Sequence, residues 1–503
     1  MGLALLNSRA QLGVDAPRVT IEVFLSGGLP TFAIVGMPET AVRESKDRVR
    51  GAILSSGYHF PQERIIVSLG PADMCKTGGR FDLAIALGIL AASNQINDEL
   101  MTSHEFFGEL SLNGELRRVP GVLPAALRAA EAGQRIVVPG GNAVEAAFAS
   151  SEVLGAGSLL EVTAHLSGSR PLTPEPRRSL QAQEPETLDL KDVRGQVQAK
   201  RALEIAAAGG HNLLFIGPPG TGKSMLAKRL PGLLPPMSDA QALATAAVAS
   251  VLGVATDVQH WCRRPFRAPH HTASAAALVG GGGDPRPGEV SRAHNGVLFL
   301  DELPEFHRNV LEVLREPLES GYITISRAGT QADFPANFQL VAAMNPCPCG
   351  YLGDPRGNCN CSADRVQNYR ARISGPLLDR IDIQMKVQRP PASCMRADSP
   401  AGESTAEVAA RVLAARERQL QRAGLCNADL DGARLAAACN LTDDASALLE
   451  RAMDQYGLSP RGHQRMQRVA LTITDLAGND GVGVNAIAEA LSLRGLEARA
   501  VPV

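Results

Sequence analysis

The period of apolar and polar positions changes along this chain, and the changes divide it. Up to about residue 168 short apolar runs alternate with helically spaced ones. Residues 19–24, 64–69 and 135–138 predict strands, residues 40–55, 81–92 and 123–132 predict helices, and residues 106–116 predict a hairpin. Residues 168–185 carry Pro and polar side chains without periodicity and read as a linker. A helix over 196–208 then leads into Leu213-Leu214-Phe215-Ile216. The further runs Val297-Leu298-Phe299-Leu300 and Phe338-Gln339-Leu340-Val341-Ala342-Ala343 share its continuous hydrophobicity, the pattern of strands covered on both faces of a parallel sheet. Between them residues 322–335 alternate on either side of Ala328-Gly329-Thr330, as a hairpin does. From 403 onward the period is helical, over 406–422, 443–456, 461–476 and 484–493. The expected fold class is therefore α/β and multidomain: an α+β domain over 1–168, a linker over 169–188, a parallel-sheet core with insertions over 189–390, a linker over 391–402 and a helical lid over 403–503.

The strand ending at Ile216 runs into Gly217-Pro218-Pro219-Gly220-Thr221-Gly222-Lys223-Ser224, followed by apolar residues at helical spacing. Strand, Gly-rich loop and helix are the context a phosphate loop needs: the glycines let successive N–H groups converge on one anion, and a helix N-terminus adds partial positive charge there. Lys223 would reach the β- and γ-phosphates, and Ser224 would offer its hydroxyl to Mg²⁺. The strand over 297–300 ends at Asp301-Glu302, at the sheet edge where ligands of parallel sheets bind. Asp301 would hold Mg²⁺ through water, and Glu302 would polarise the attacking water. Asn345, after the third run, can orient that water, and equally suits a turn before Pro346.

Composition narrows the classes. At 503 residues, 45% hydrophobic and 20% charged, the chain is long enough for two to four domains with sizeable cores. A net charge of −2 means that a polyanion would have to be held by local basic surface, and one Trp and five Tyr give little for base stacking. The longest apolar stretch, 83–92, is half of the roughly 20 residues a bilayer requires, and the first residues lack a signal-peptide pattern. No membrane partner and a cytoplasmic location are the expectation. Nine cysteines argue for thiols or metal ligands over disulfides. Four of them, Cys347, Cys349, Cys359 and Cys361, share one polar loop and can either close a tetrahedral Zn²⁺ site or stand as free thiols.

Longer words bring a resemblance. Phe-Arg-Ala-Pro-His-His-Thr-Ala-Ser from Phe266, Asn-Gly-Val-Leu-Phe-Leu-Asp-Glu-Leu-Pro-Glu-Phe from Asn295, Ala-Ala-Met-Asn-Pro-Cys-Pro-Cys-Gly from Ala342 and Ser-Gly-Pro-Leu-Leu-Asp-Arg-Ile-Asp from Ser374 resemble the magnesium-chelatase-like AAA+ family, and within it the ComM (YifB) group. The first 168 residues resemble the proteolytic domain of Lon and the C-terminal domain of the RadA recombination protein. There Arg80 stands where Lon has its nucleophilic serine and Leu123 where it has its lysine, so no peptidase dyad is expected.

The resemblance implies an ATP- and Mg²⁺-dependent hexamer that moves on single-stranded or branched DNA as a branch-migration helicase in recombination and competence, with recombination proteins as further partners. It makes Arg380 an arginine finger acting across a subunit interface and Arg461 a second sensor; Leu471 replaces an arginine usual in the family. Arg327 in the hairpin, and Arg267, His270 and His271 in the preceding insertion, are expected to emerge at one sheet edge and follow a DNA backbone; packed core histidines and an Arg327–carboxylate pair are the alternative reading. A chelatase-type motor remodelling a protein and a nucleotide-sensing regulator are the alternatives.

Overall fold

The structure is a computed structural model and describes residues 2–150, 152–176, 188–254, 261–282, 285–327, 330–355, 357–395, 402–456 and 459–494. The expected boundary segments 177–187 and 396–401, the hairpin tip at Ala328 and Gly329, and residues 495–503 lie outside the described residues.

The N-terminal unit is a seven-stranded mixed sheet in the spatial order Thr31–Val35, Arg64–Gly70, Arg18–Ser26, Gly2–Arg9, His104–Phe106, Arg135–Pro139, Val153–Ala156. Alternation within Arg18–Ser26 and Arg64–Gly70 puts Val19, Ile21, Val23, Ile65, Val67 and Leu69 on one buried face. The helix Asp82–Ala92 is apolar around its whole circumference and is accordingly almost entirely buried. Its first residue, Asp82, is held by the Ser45 hydroxyl and by Arg48 at 2.7 Å; burial still pushes that carboxyl above its ordinary range. The predicted strands and helices of this unit are present, the helix over 40–55 as two pieces, Thr40–Arg43 and Ser45–Ser55. Leu172, Pro174 and Glu175, expected in the linker, belong to this unit: Glu175 N–H donates to Val153 O at 2.8 Å, and Leu172 packs against the core.

The second sheet is wholly parallel, in the order Phe266–Arg267, Val297–Leu300, Gln339–Met344, Leu213–Ile216, Ile383–Lys386. Its three middle strands are buried throughout, as their unbroken apolar runs demand. One face is covered by the helix Val197–Gly209 and, beyond it, by the C-terminal helices Thr405–Ala423 and Pro460–Ala477, so that sheet and lid share a single hydrophobic core. The helix Thr405–Ala423 begins in a capping box, Ser404 with Glu407, and ends at Gly424 in the left-handed conformation. Two of its arginines are held in ion pairs, Arg411 by Glu204 and Glu403 and Arg422 by both carboxylate oxygens of Asp475 at 2.8 Å, while Arg418 is exposed. Leu471 is buried in the shared core, a position an arginine could not take without a partner.

The two units meet on the helix Asp239–Val251. The Ser250 carbonyl accepts from Gly121 N–H at 2.8 Å, and Leu123, Phe148, Met237, Ala246 and Trp261 form a small apolar cluster there, with the Phe148 and Trp261 rings stacked at 4.0 Å. Leu123 is therefore a wall of this joint, while Arg80 is buried over the Phe107 ring and donates to Gln11 at 2.7 Å. Among the described residues no helix is long and apolar enough to cross a membrane.

Candidate nucleotide-binding site

The loop after Ile216 turns through two left-handed glycines, Gly220 and Gly222. Gly222 has φ 90° and caps the helix Lys223–Ala227, a conformation that any side chain would strain. Lys223 is buried, and its Nζ donates to Gly217 O (2.7 Å), Pro218 O (2.9 Å) and Asn345 Oδ1 (3.2 Å). Thr221 Oγ1 ties to Pro218 O at 2.9 Å. Burial lowers the Lys223 pKa, opposed by Asp301 and Glu302. The ammonium thus rests on loop carbonyls where an anion would satisfy it better.

Asp301 and Glu302 follow the neighbouring strand but one. Ser224 Oγ donates to Asp301 Oδ2 at 2.6 Å, so a hydroxyl and a carboxylate lie side by side, the pair of oxygen donors that hard Mg²⁺ prefers. Glu302 adopts φ 54°, ψ 46°, unusual for a residue with a side chain; strain of this kind is concentrated at functional sites. Its carboxylate is half exposed, with His271 Nδ1 at 3.1 Å. Asn345, Lys223, Ser224, Asp301 and Glu302 are therefore brought together at the C-terminal edge of the sheet.

The loop carrying the four cysteines starts two residues after Asn345. Cys347, Cys349 and Cys359 have Sγ separations of 3.3, 3.7 and 3.6 Å, and all four sulfurs lie within 4.8 Å of one another. Tetrahedral Zn²⁺ with Zn–S bonds of about 2.3 Å spaces its thiolates about 3.8 Å apart, so the cluster fits that ion. The Tyr351 backbone N–H holds the Cys349 thiol down at about 6, with the neighbouring sulfurs contributing. The same loop leans on the phosphate loop: a Cβ at Gly350 would stand 2.9 Å from Pro219 Cδ, and φ at Gly350 is 86°.

Arg380 and Arg461 are not at this edge. Strand register places Asn212, Gly296 and Asn337 at the opposite, N-terminal edge of the sheet, where they line a cleft of about 560 Å³ together with Arg380, Arg461, Arg465 and Arg468. The lid supplies three of them, because Pro460–Ala477 packs along Val197–Gly209 and projects Arg461, Arg465 and Arg468 into the cleft. The head of Arg380 is ion-paired with Glu319, and its Nη1 donates to Pro376 O at 2.6 Å. Arg465 is tied to Asp379 at 3.0 Å, and Arg461 is exposed.

The expected DNA contacts separate. Arg267 ends a two-residue strand, too short for an apolar pattern to reveal, which pairs with Val297–Leu298 and delivers the next loop to the nucleotide edge. Arg267 donates from Nε and Nη2 to the two carboxylate oxygens of Glu289, at 2.6 and 2.9 Å, so Arg267 serves in a structural ion pair. His271 belongs beside Glu302, with the His270 ring tilted against it, centroids 4.1 Å apart. The hairpin of Tyr322–Arg327 and Thr330–Pro335 is present, but it springs from the other edge, where Ala336 N–H donates to Gly321 O at 2.7 Å. The shared edge expected for hairpin and histidines is thus corrected by the topology. The Arg327 side chain lies outside what the structure describes.

Comparison with known proteins agrees with this layout. Residues 189–395 match the family described as magnesium chelatase, subunit ChlI, residues 21–142 match subunit ChlI of Mg-chelatase, and residues 402–494 match the subunit ChlI C-terminal family. The chain is 48% identical to the protein named YifB of Salmonella typhimurium over 499 residues, 99% of this chain and 98% of that protein. It is likewise 48% identical over 501 residues to competence protein ComM of Haemophilus influenzae, with 99% and 98% covered, and 43% identical over 508 residues to a protein of Mycobacterium tuberculosis, with 99% and 100% covered. Phosphate loop, paired carboxylates, cysteine loop and relatives of matching length converge, and the chain belongs to the YifB/ComM family of magnesium-chelatase-like AAA+ proteins.

Proposed function

We propose that the chain is an ATP-driven ring motor acting on DNA, each hydrolytic site being built from two copies. The observation that carries this reading is the division of the machinery between opposite edges of one sheet. Loop, Lys223, Ser224, Asp301, Glu302 and Asn345 occupy one edge, and Arg380 and Arg461 the other. Two surfaces of one chain that complement each other but cannot meet within it imply head-to-tail association; closure into a ring of six subunits is what the family resemblance supplies. ATP and Mg²⁺ follow from family membership, with Ser224 and Asp301 as the metal's ligands. Glu302 is the base for the attacking water, Asn345 its orienting partner, and Arg380 and Arg461 the cations offered to a neighbour's triphosphate.

DNA as the track is supported by full-length similarity to a competence protein, and the work done on it is branch migration during recombination. The hairpin ending at Arg327 is the element proposed to meet DNA. The N-terminal unit is read as a Lon-like scaffold without peptidase chemistry, since Arg80 and Leu123 offer neither hydroxyl nor amine. The four cysteines hold structural Zn²⁺, which fixes the loop beside Asn345. The test is ATP hydrolysis with and without added DNA. Stimulation by DNA, and none by porphyrin or unfolded protein, is expected; stimulation by unfolded protein alone would move the reading to a protein-remodelling motor.

A further inference from the structure

The proposed finger, Arg380, is not free in the isolated chain. Its guanidinium is engaged by the Glu319 carboxylate and by Pro376 O, while its Nε is buried with no acceptor among the described residues. The arginine side chain is only 11% exposed and the glutamate 58%. The arginine is thus held in place by the cleft wall, and its partner is a movable surface group.

Glu319 lies in the one-turn helix Pro317–Ser320, which Gly321 ends in the left-handed conformation immediately before the hairpin strand Tyr322–Arg327. Turn and hairpin are tied together. Ser320 Oγ donates to Tyr322 O at 2.9 Å and accepts from Tyr322 N–H at 3.1 Å, and Glu316 Oε1 accepts from Thr324 N–H at 3.4 Å. Arg380 comes from a different segment, just beyond the helix Gly375–Leu378. Hairpin and Arg380 segment share one core, in which Ile323 and Phe334 lie with Leu377 and Ile381, but only Glu319 is tied to the hairpin through the backbone turn, so a shift of the hairpin base would move Glu319 relative to Arg380.

We propose that Glu319 is a latch on Arg380, worked by the hairpin: with the hairpin unloaded the guanidinium is kept on Glu319, and a nucleic-acid strand drawing on the hairpin withdraws the carboxylate and releases Arg380 to the neighbour's triphosphate. Glu319 touches neither nucleotide nor metal and acts only through Arg380, as a positioning residue. The inference rests on the reading of Arg380 as a finger in trans. It gives that reading a means by which DNA in the pore sets the hydrolysis rate of the adjacent site.

The experiment measures steady-state ATP hydrolysis by wild type, Glu319→Gln, Glu319→Asp and Arg380→Ala, with and without a poly(dT) oligonucleotide. Glu319→Gln is expected to raise the DNA-free kcat by about threefold or more, to leave KM for ATP within about twofold, and to lose a matching share of DNA stimulation; Glu319→Asp keeps the wild-type pattern. A structural role would not raise kcat. An unchanged or lowered DNA-free kcat in Glu319→Gln, with Arg380→Ala inactive, overturns the latch and leaves the finger standing. Wild-type hydrolysis by Arg380→Ala overturns the finger itself. A raised DNA-free kcat whose stimulation by DNA remains in full overturns the link to the hairpin.

Discussion

Glu302 and Lys223 sit within one site but have separable duties. Lys223 Nζ is already held in the loop by two carbonyls and Asn345, poised for phosphate, while Glu302 projects half exposed from a strained backbone with His271 against its carboxylate. Lys223→Ala is therefore expected to abolish nucleotide binding, measured by fluorescence of a labelled nucleotide. Glu302→Gln should bind normally and lose about 10²–10⁴ in hydrolysis, the span that positioned general bases contribute. Wild-type hydrolysis by Glu302→Gln would remove it from the base role. These residues were legible because their motifs are contiguous and follow short apolar runs of the length of a buried strand, unlike the longer run over 83–92, which is a helix. The neighbour of Glu302 was not: His271 reaches it after a strand of two residues, too short for a periodic signal. The partner of Arg380 is 61 residues away in sequence and carries no motif.

At the scale of the element, two loops or joints carry specific expectations. The cysteine loop is polar, leans on Pro219 and continues from Asn345, so its ordering bears on the active site. Purified protein should carry about one zinc per chain, and Cys349→Ser should lower zinc content and melting temperature together, with a loss of hydrolysis. Elemental analysis showing none in protein prepared without chelators would dismiss the site. In the N-terminal unit, His165 Nδ1 accepts from Leu172 N–H at 3.0 Å, leaving Nε2–H to face His104 Nε2 at 3.4 Å, while His104 Nδ1 lies 2.7 Å from Leu100 O. Both rings are buried, and burial lowers both pKa values; at His104 the Leu100 carbonyl and Glu152 oppose the shift and Arg135 adds to it, and at His165 His104 and Arg135 add to it. The unfolded chain therefore binds protons that the folded one cannot below the ordinary histidine value of about 6.5, and stability falls as pH drops through that value. Denaturant unfolding at pH 7.5 and 5.5 should show the loss, and His165→Gln, whose amide can take both bonds, should show less of it. An equal loss in the variant would contradict the assignment. The strands of this unit that alternation revealed, 18–26 and 64–70, have one buried face. Gly2–Arg9, with Leu3 and Leu5 exposed beside buried Ala4 and Leu6, has apolar residues on both faces and so no alternation to read.

For the whole molecule, domain order was legible from changes in hydrophobic period, because each period reflects what its elements are packed against. Placement of the lid was not. The arginines of Pro460–Ala477 look in sequence like any sensor-bearing helix, and only packing against Val197–Gly209 sets them at the edge away from their own phosphate loop. That placement is the basis for a site shared between copies, and it has a direct test. Lys223→Ala and Arg380→Ala chains are each expected to be inactive alone. Mixed in equal amounts and allowed to exchange, they create interfaces in which an intact phosphate loop faces an intact Arg380, about a quarter of the total for random head-to-tail assembly. The account predicts that ATP hydrolysis reappears in the mixture, at up to about a quarter of the wild-type rate; a mixture as inactive as its components, in rings shown to contain both chains, would contradict it.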